Sequence, residues 1–254
     1  MIKIKYPDGS VKEYEKNVSV YDVTKDISEG LARAAVGAVV NGEIMGYDQK
    51  ITEDCDFKVV KYEDPEGKQI FWHTSSHLMA AAIKELWPDS KFAIGPAIKD
   101  GFYYDIDTEH RFVPEDLEKI EKKMIELAKK DLKMQVKEIS REDALKYFEE
   151  KGQDYKVELI NDMPEDETIT LYEMGDGVFV DLCRGPHLTS TKSIKAVKLK
   201  SIAGAYWRGD SDRQMLQRIY GITFQKNKEK EEYEEMLKEI EKRDHRKIGK
   251  EMKL

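Results

Sequence analysis

Three of the five histidines, one cysteine and one aspartate fall into a pattern that could activate water. His73 and His77 are four positions apart, in a stretch where Leu78, Met79, Ala82, Ile83 and Leu86 recur at helical spacing. Both imidazoles therefore leave one helix face, about one turn apart. More than a hundred residues later, Asp181-Leu182-Cys183 ends a strand-like run, with Asp181 and Cys183 on one side, before a Gly185-Pro186 turn and His187. His-x3-His joined to Cys-x3-His is a set of four borderline ligands. It suits tetrahedral zinc, and equally a metal-free hydrolytic site in which imidazoles move protons. An isolated histidine pair at this spacing also occurs as unrelated surface or core residues, and it is the second pair that raises the functional reading. Lys156 opens the segment Val157-Glu158-Leu159-Ile160, which reads as a strand, and an inward cation there could polarise an ester or hold a ribose oxygen. Cys55 sits among Glu53, Asp54 and Asp56, carboxylates that raise a thiol pKa and so disfavour catalysis. His110 and His245 lie in charged surroundings and read as surface residues.

A second cluster lies between Lys195 and Arg218, where Lys198, Lys200, Arg208 and Arg213 are interleaved with Tyr206 and Trp207. Cations between aromatics suit a single-stranded RNA end, through phosphate pairing and base stacking. An edge strand with its aromatics in the core has the same composition. Net charge speaks against bulk electrostatic attraction to nucleic acid: 43 Lys and Arg against 51 Asp and Glu leave the chain at −8.

The elements that must position these groups divide the 254 residues in two. Residues 1–62 show alternating Ile2 and Ile4, a Pro7-Asp8-Gly9 turn, a helix capped by Ser19 running to about Gly30, and strands at Ala38–Val40 and Phe57–Val60. Strands round one helix predict a small β-grasp, ubiquitin-like domain. The polar run Tyr62–Lys68 reads as a linker. Residues 63–224 read as a larger mixed α+β domain, with helices from near His73 to Trp87, after Pro114, and from Arg141 to Lys151. Strand-like segments follow at Val157–Ile160, Ile169–Tyr172 and Val178–Leu182. Residues 225–254 read as one charged linker helix, acidic first and basic from Arg243 to Lys250, as its dipole favours. Two cysteines in unrelated contexts give no disulfide framework, no apolar run approaches the ~20 residues of a membrane span, and the first residues do not form a secretory signal. A cytoplasmic protein with no membrane partner is expected.

The motifs resemble the N-terminal half of bacterial-type threonyl-tRNA synthetases, a TGS domain followed by an editing domain. The resemblance rests on Gly30-Leu31-Ala32, Val40-Asn41-Gly42, His73-Thr74-Ser75-Ser76-His77, Gly95-Pro96 and Gly101-Phe102-Tyr103-Tyr104-Asp105. It also rests on Asp181-Leu182-Cys183-Arg184-Gly185-Pro186-His187 and Gly204-Ala205-Tyr206-Trp207-Arg208-Gly209-Asp210, and it covers essentially the whole chain. It implies hydrolysis of seryl-tRNA(Thr) at the tRNA acceptor end, with His73, Lys156, Asp181 and His187 as the catalytic group and His77, Tyr104 and Cys183 supporting substrate. It further implies that no cofactor or metal is needed here. ATP, magnesium, the threonine-selecting zinc and the homodimer interface would belong to a catalytic region outside these residues, so this chain is not expected to charge tRNA. Two other readings stay open: a zinc-dependent hydrolase of the alanyl editing kind, using His73, His77, Cys183 and His187, and a non-catalytic RNA-binding arm.

Overall fold

The computed structural model describes the backbone of residues 1–251 and the side chains of residues 1–245. At the N-terminus β1 (Ile2–Lys5) and β2 (Val11–Tyr14) form the expected hairpin. After β3 (Val18–Ser19), α1 (Val20–Ile27) starts where Ser19 Oγ accepts the Asp22 amide. The helix stops earlier than its composition predicts, because Ser28 takes extended backbone and caps a second helix, α2 (Glu29–Ala34). Then come β4 (Ala35–Val40), β5 (Glu43–Gly46), β6 (Lys50–Ile51) and β7 (Cys55–Lys61). The main sheet runs β2-β1-β7-β4-β5, with β1 and β7 parallel. Its core of Ile2, Ile4, Val20, Val23, Ala38, Ile51 and Phe57 is a β-grasp core.

The expected linker is instead the first turn of a helix. Pro65, with its φ already fixed, occupies the first position of α3 (Pro65–Leu86), behind Asp64 in extended conformation. The polar Pro-Glu-Gly run is thus a helix start, and α3 begins eight residues before His73. This helix is buried on nearly every side, from Ile70 to Ile83, and its Thr74, Ser75 and Ser76 hydroxyls back-bond to Ile70, Phe71 and His73 carbonyls.

Short strands β8 (Lys91–Phe92) and β9 (Ala97–Ile98) flank β10 (Gly101–Asp107), and α4 (Pro114–Lys129) follows Pro114 as expected. Unforeseen β11 (Met134–Ile139) leads into α5 (Arg141–Glu150), where Ser140 Oγ accepts the Asp143 amide. The segment bearing Lys156 is α6 (Asp154–Asp162), not a strand: Gly152 at φ 65° ends α5, and Tyr155, Lys156 and Ile160 are buried from one helical turn to the next. The remaining strands are β12 (Ile169–Met174), β13 (Phe179–Leu182), β14 (Ala196–Tyr206) and β15 (Met215–Phe224).

They form two sheets, β14-β15-β10-β8 with β9 on β10, and β11-β12-β13. Phe102, Tyr104 and Ile106 alternate inward from β10 into a core shared with α3, α4 and β15. Trp72 Nε1 donates to the Thr223 carbonyl at 3.1 Å and fixes α3 on β15. The C-terminal helix, α7 (Asn227–Glu251), is present as expected; in its basic stretch the side chains of residues 246–250 lie outside the described residues. No described helix is long and apolar enough to cross a membrane.

Candidate active site

Helix α3 delivers His73, Thr74 and His77, the end of β13 delivers Asp181, and the following loop delivers Cys183 and His187. Lys156 arrives from α6 and Tyr104 from β10. The ligand atoms of His73, His77, Cys183 and His187 all lie within 4.8 Å of one another, so the two sequence pairs do converge. The His73 and His187 rings stack at 4.1 Å, with His77 5.1 Å from His73 and 4.3 Å from His187.

Hydrogen bonding sets the tautomers. His73 Nδ1 lies 3.1 Å from the Pro186 carbonyl, which can only accept, so Nδ1 carries the proton and Nε2 keeps its lone pair. Thr74 Oγ1 donates to Ile70 O and accepts the Leu188 amide; its 2.9 Å contact with His187 Nδ1 must then receive that ring's proton. His187 Nε2 is left as an acceptor 3.2 Å from Cys183 Sγ, whose other neighbours are His73 Nε2 at 3.4 Å and the Gly185 amide, a donor at 3.2 Å. His77 Nε2 lies 3.2 Å from Asp181 Oδ2, and His77 Nδ1 has no partner among the described residues.

Beside the imidazoles is a buried ion pair. Lys156 Nζ stands 2.6 Å from Asp181 Oδ1 and donates to Ala93 O at 2.7 Å and Tyr104 Oη at 3.0 Å. Tyr104 in turn donates to Asp181 Oδ2 at 2.6 Å. Asp181 is only 2% exposed. Burial pushes its pKa up, but Lys156 and His77 more than offset this, and the carboxyl stays below its usual range. Burial lowers all three imidazoles: His77 to about 3, with Asp181 partly opposing, His73 likewise below its ordinary value, and His187 well below its own, helped by His73 and His77. The Cys183 thiol is pushed up to about 12 by burial and then by Asp181. At neutral pH the site therefore offers neutral imidazoles, a protonated thiol and a fixed ammonium–carboxylate pair. Such a set can accept a proton from water at His73 Nε2, but it holds no thiolate nucleophile.

A cavity of about 290 Å³ opens onto these groups, lined by His73, His77, Lys156, Asp181, Cys183 and the Ala93–Pro96 segment. Tyr104 and His187 do not line it; they stand behind as positioning groups. Gly95 is required at the wall, since a Cβ there would come within 2.0 Å of the Tyr104 ring. The donor set fits zinc: the two Nε2–Sγ separations approach the edge, roughly 3.3–3.8 Å, of a tetrahedron round that ion. Thr74 and the Ala93 carbonyl carried no sequence signal beyond a threonine between two histidines.

The expected RNA-binding stretch is altered by the structure. Trp207 is 2% exposed, packs on Tyr155 and donates to Glu158, so it belongs to the core and is closed to base stacking. Arg213 pairs with Glu158 at 2.7 Å, and Arg208 with Glu158 and Asp162. Lys198 faces Glu234, and Lys200 bonds Asp100 O and lies over the Tyr233 ring. Tyr206 is 42% exposed, and the paired Arg213 side chain is equally so. Acids from α6 and α7, distant in sequence, neutralise what looked like a basic patch. His110 is likewise no free surface residue; it stacks on Trp87 at 4.7 Å and bonds Asp116.

Residues 2–61 match the TGS domain, and residues 169–220 match the threonyl and alanyl tRNA synthetase second additional domain. The whole chain is similar to the N-terminal region of threonine–tRNA ligases. It is 60% identical to that of Clostridioides difficile over 254 residues, all of this chain and 39% of the relative. With that of Finegoldia magna it shares 62% over all 254 residues and 40% of the relative. With that of Caldanaerobacter subterraneus it shares 53% over 247 residues, 97% of this chain and 38% of the relative. The chain thus spans about two fifths of the length of these relatives.

Proposed function

We propose that the cavity hydrolyses an aminoacyl ester at the 3′ end of a tRNA, removing serine misattached to tRNA(Thr). The observation that carries this is the neutral His73 imidazole, its Nε2 lone pair kept by the Nδ1 bond to Pro186 O, in one cavity with the buried Lys156–Asp181 pair. A synthetic site distinguishes serine from threonine by one methyl, worth only about 1–3 kcal/mol, so a second hydrolytic site raises fidelity.

The water oxygen attacks the ester carbonyl carbon as its proton passes to His73 Nε2. The bond to the ribose oxygen then breaks, and that oxygen takes the proton held on His73 Nε2 as it leaves, giving serine, a free tRNA hydroxyl and a neutral imidazole again. The Lys156 ammonium, already spread over three acceptors, favours the developing alkoxide by its field and by exchanging the neutral Ala93 carbonyl for it. Asp181 Oδ1 makes no hydrogen bond of its own beyond that charge contact, and it would receive the seryl α-ammonium. Tyr104 and His77 hold the carboxylate from the other side.

The close approach of four donors favours a second reading, in which His73, His77, Cys183 and His187 hold zinc. Bound there, zinc would supply Lewis acidity and lower the pKa of its water. Serine release from seryl-tRNA(Thr), with threonyl-tRNA(Thr) as control and repeated after exhaustive chelation, separates the readings. Serine-selective release that survives chelation supports the metal-free site; loss on chelation supports zinc. Binding of tRNA without release overturns both and leaves an RNA-binding arm.

A further inference from the structure

The turn after β5, Gly46-Tyr47-Asp48-Gln49, belongs to the first domain but lies against the loop that carries Cys183 and His187. A Cβ on Gly46 would come 3.1 Å from the His187 carbonyl, 3.2 Å from Asp48 Oδ1 and 3.3 Å from Pro186 Cβ, so the two backbones meet closely and a side chain there would press on the loop. Asp48 Oδ2 accepts a hydrogen bond from Tyr172 Oη at 3.3 Å. That tyrosine, buried on β12, presents its ring 4.6 Å from the His187 ring. It also fills the space beneath Gly185, where a Cβ would lie 2.5 Å from Tyr172 Oη and where φ is 74°. Burial raises the Asp48 pKa, consistent with a carboxyl enclosed at a junction.

The turn itself is held firmly. Gln49 Oε1 accepts the Gly46 amide at 2.7 Å, and the Gln49 and Tyr47 carbonyls accept the Val20 and Tyr21 amides of α1. Tyr47 Oη donates to Ala32 O at 2.6 Å. A rigid part of the β-grasp domain thus reaches, through Asp48 and Tyr172, to the ring whose Nε2 lies beside Cys183.

We infer that Gly46, Asp48 and Tyr172 are positioning residues for His187 and Cys183, so that the first domain forms the rear wall of the hydrolytic site. The catalytic consequence rests on the deacylase reading above; the positioning does not. Neither Asp48 nor Tyr172 lines the cavity. Their loss should therefore lower turnover while leaving KM in place.

The test uses the 254-residue chain with Asp48→Ala, Asp48→Asn, Tyr172→Phe and Gly46→Ala. Three readouts are taken: serine release, the His187 ring signals by NMR, and the alkylation rate of Cys183 by iodoacetamide. Asp48→Ala, Tyr172→Phe and Gly46→Ala are expected to shift the His187 signals, change Cys183 alkylation and lower kcat on the order of 10- to 100-fold at unchanged KM. Asp48→Asn keeps an oxygen for the tyrosine hydroxyl and should retain most of the activity. Gly46→Ala presses on the same loop, and on Asp48 Oδ1, while keeping the Asp48 carboxylate, so it tests the contact if Asp48→Ala folds poorly. If release proceeds normally and neither His187 nor Cys183 responds in these variants, the proposal is overturned. If the parent chain releases no serine but the His187 signals still move, the positioning stands and the deacylase reading fails.

Discussion

Inside the first domain Ile2, Ile4, Val23, Ala38 and Phe57 pack round no buried charge, whereas the second core closes over Lys156, Asp181, His77 and His187. The buried hydroxyls of the first bond close at hand: Ser19 caps α1, Thr24 bonds back to Val20 O, and Tyr47 donates to Ala32 O fifteen residues away. Those of the second reach across the chain, as Thr74 does to His187 and Tyr104 to Asp181. Stripping water from an ion costs several kcal/mol, and the first domain is closed without doing so. A polar core bonded between distant elements is therefore better explained by the chemistry of the site than by the needs of folding.

Four changes would break or sharpen this contrast, the largest first. His73→Ala should lower serine release by about 10²–10⁴-fold, the span of a lost general base, with the folded state intact by circular dichroism. A small drop, under tenfold, would shift the burden of water activation elsewhere.

Lys156→Met should destabilise the second core by about 3–5 kcal/mol, because Asp181 stays buried without its cation. Urea unfolding followed by tryptophan fluorescence reads this directly, since Trp72, Trp87 and Trp207 all lie beyond the first domain. Adding Asp181→Leu should restore most of that stability and none of the activity, which separates what the pair does for the fold from what it does for the reaction.

Acid should discriminate between the cores as well. His73, His77 and His187 have pKa values lowered by folding, so between their folded values and the ordinary 6.5 the unfolded chain binds more protons. Stability is complete above pH 6.5 and declines as pH falls below it, by up to about 1.4 kcal/mol per pH unit for each imidazole. The first domain contains no histidine and should not follow this curve between pH 6.5 and 5. Tryptophan fluorescence and amide signals of residues 1–61 recorded across that range compare the two. The smallest effect serves as a control: Ser19→Ala and Ser140→Ala each remove one helix cap and should cost about 1 kcal/mol apiece in thermal melts. Local structure would then be worth the same in both domains, and the difference would lie in the buried polar groups.

Where the signal was local, the sequence was legible. The Ser19 and Ser140 caps, the first hairpin, the i,i+4 histidines and the Cys183–His187 turn all follow from spacing within a few residues. The sequence singles out Lys156 but puts it on a strand where the fold has a helix, because Val157–Ile160 is a short apolar run that periodicity cannot assign. β11 stayed hidden since its residues between Met134 and Ile139 are exposed, as an edge strand allows. Trp207, Arg208 and Arg213 misled because their partners, Tyr155, Glu158 and Asp162, lie about fifty residues upstream. Asp48 and Tyr172 gave no sign, their meeting being a property of the fold alone.

Helix α3 starts after a three-residue turn beyond β7 and runs without interruption to the site histidines. Its start is clamped, since a Cβ on Gly67 would fall 1.8 Å from the Lys61 carbonyl. Between that clamp and His73 the chain behaves like a threaded shaft: one residue inserted would turn His73 and His77 by about 100° and advance them ~1.5 Å. A loop would absorb the same insertion. The number of residues from Gly67 to His73 is therefore a phase setting, fixing the bearing of the imidazoles as firmly as any contact in the cavity.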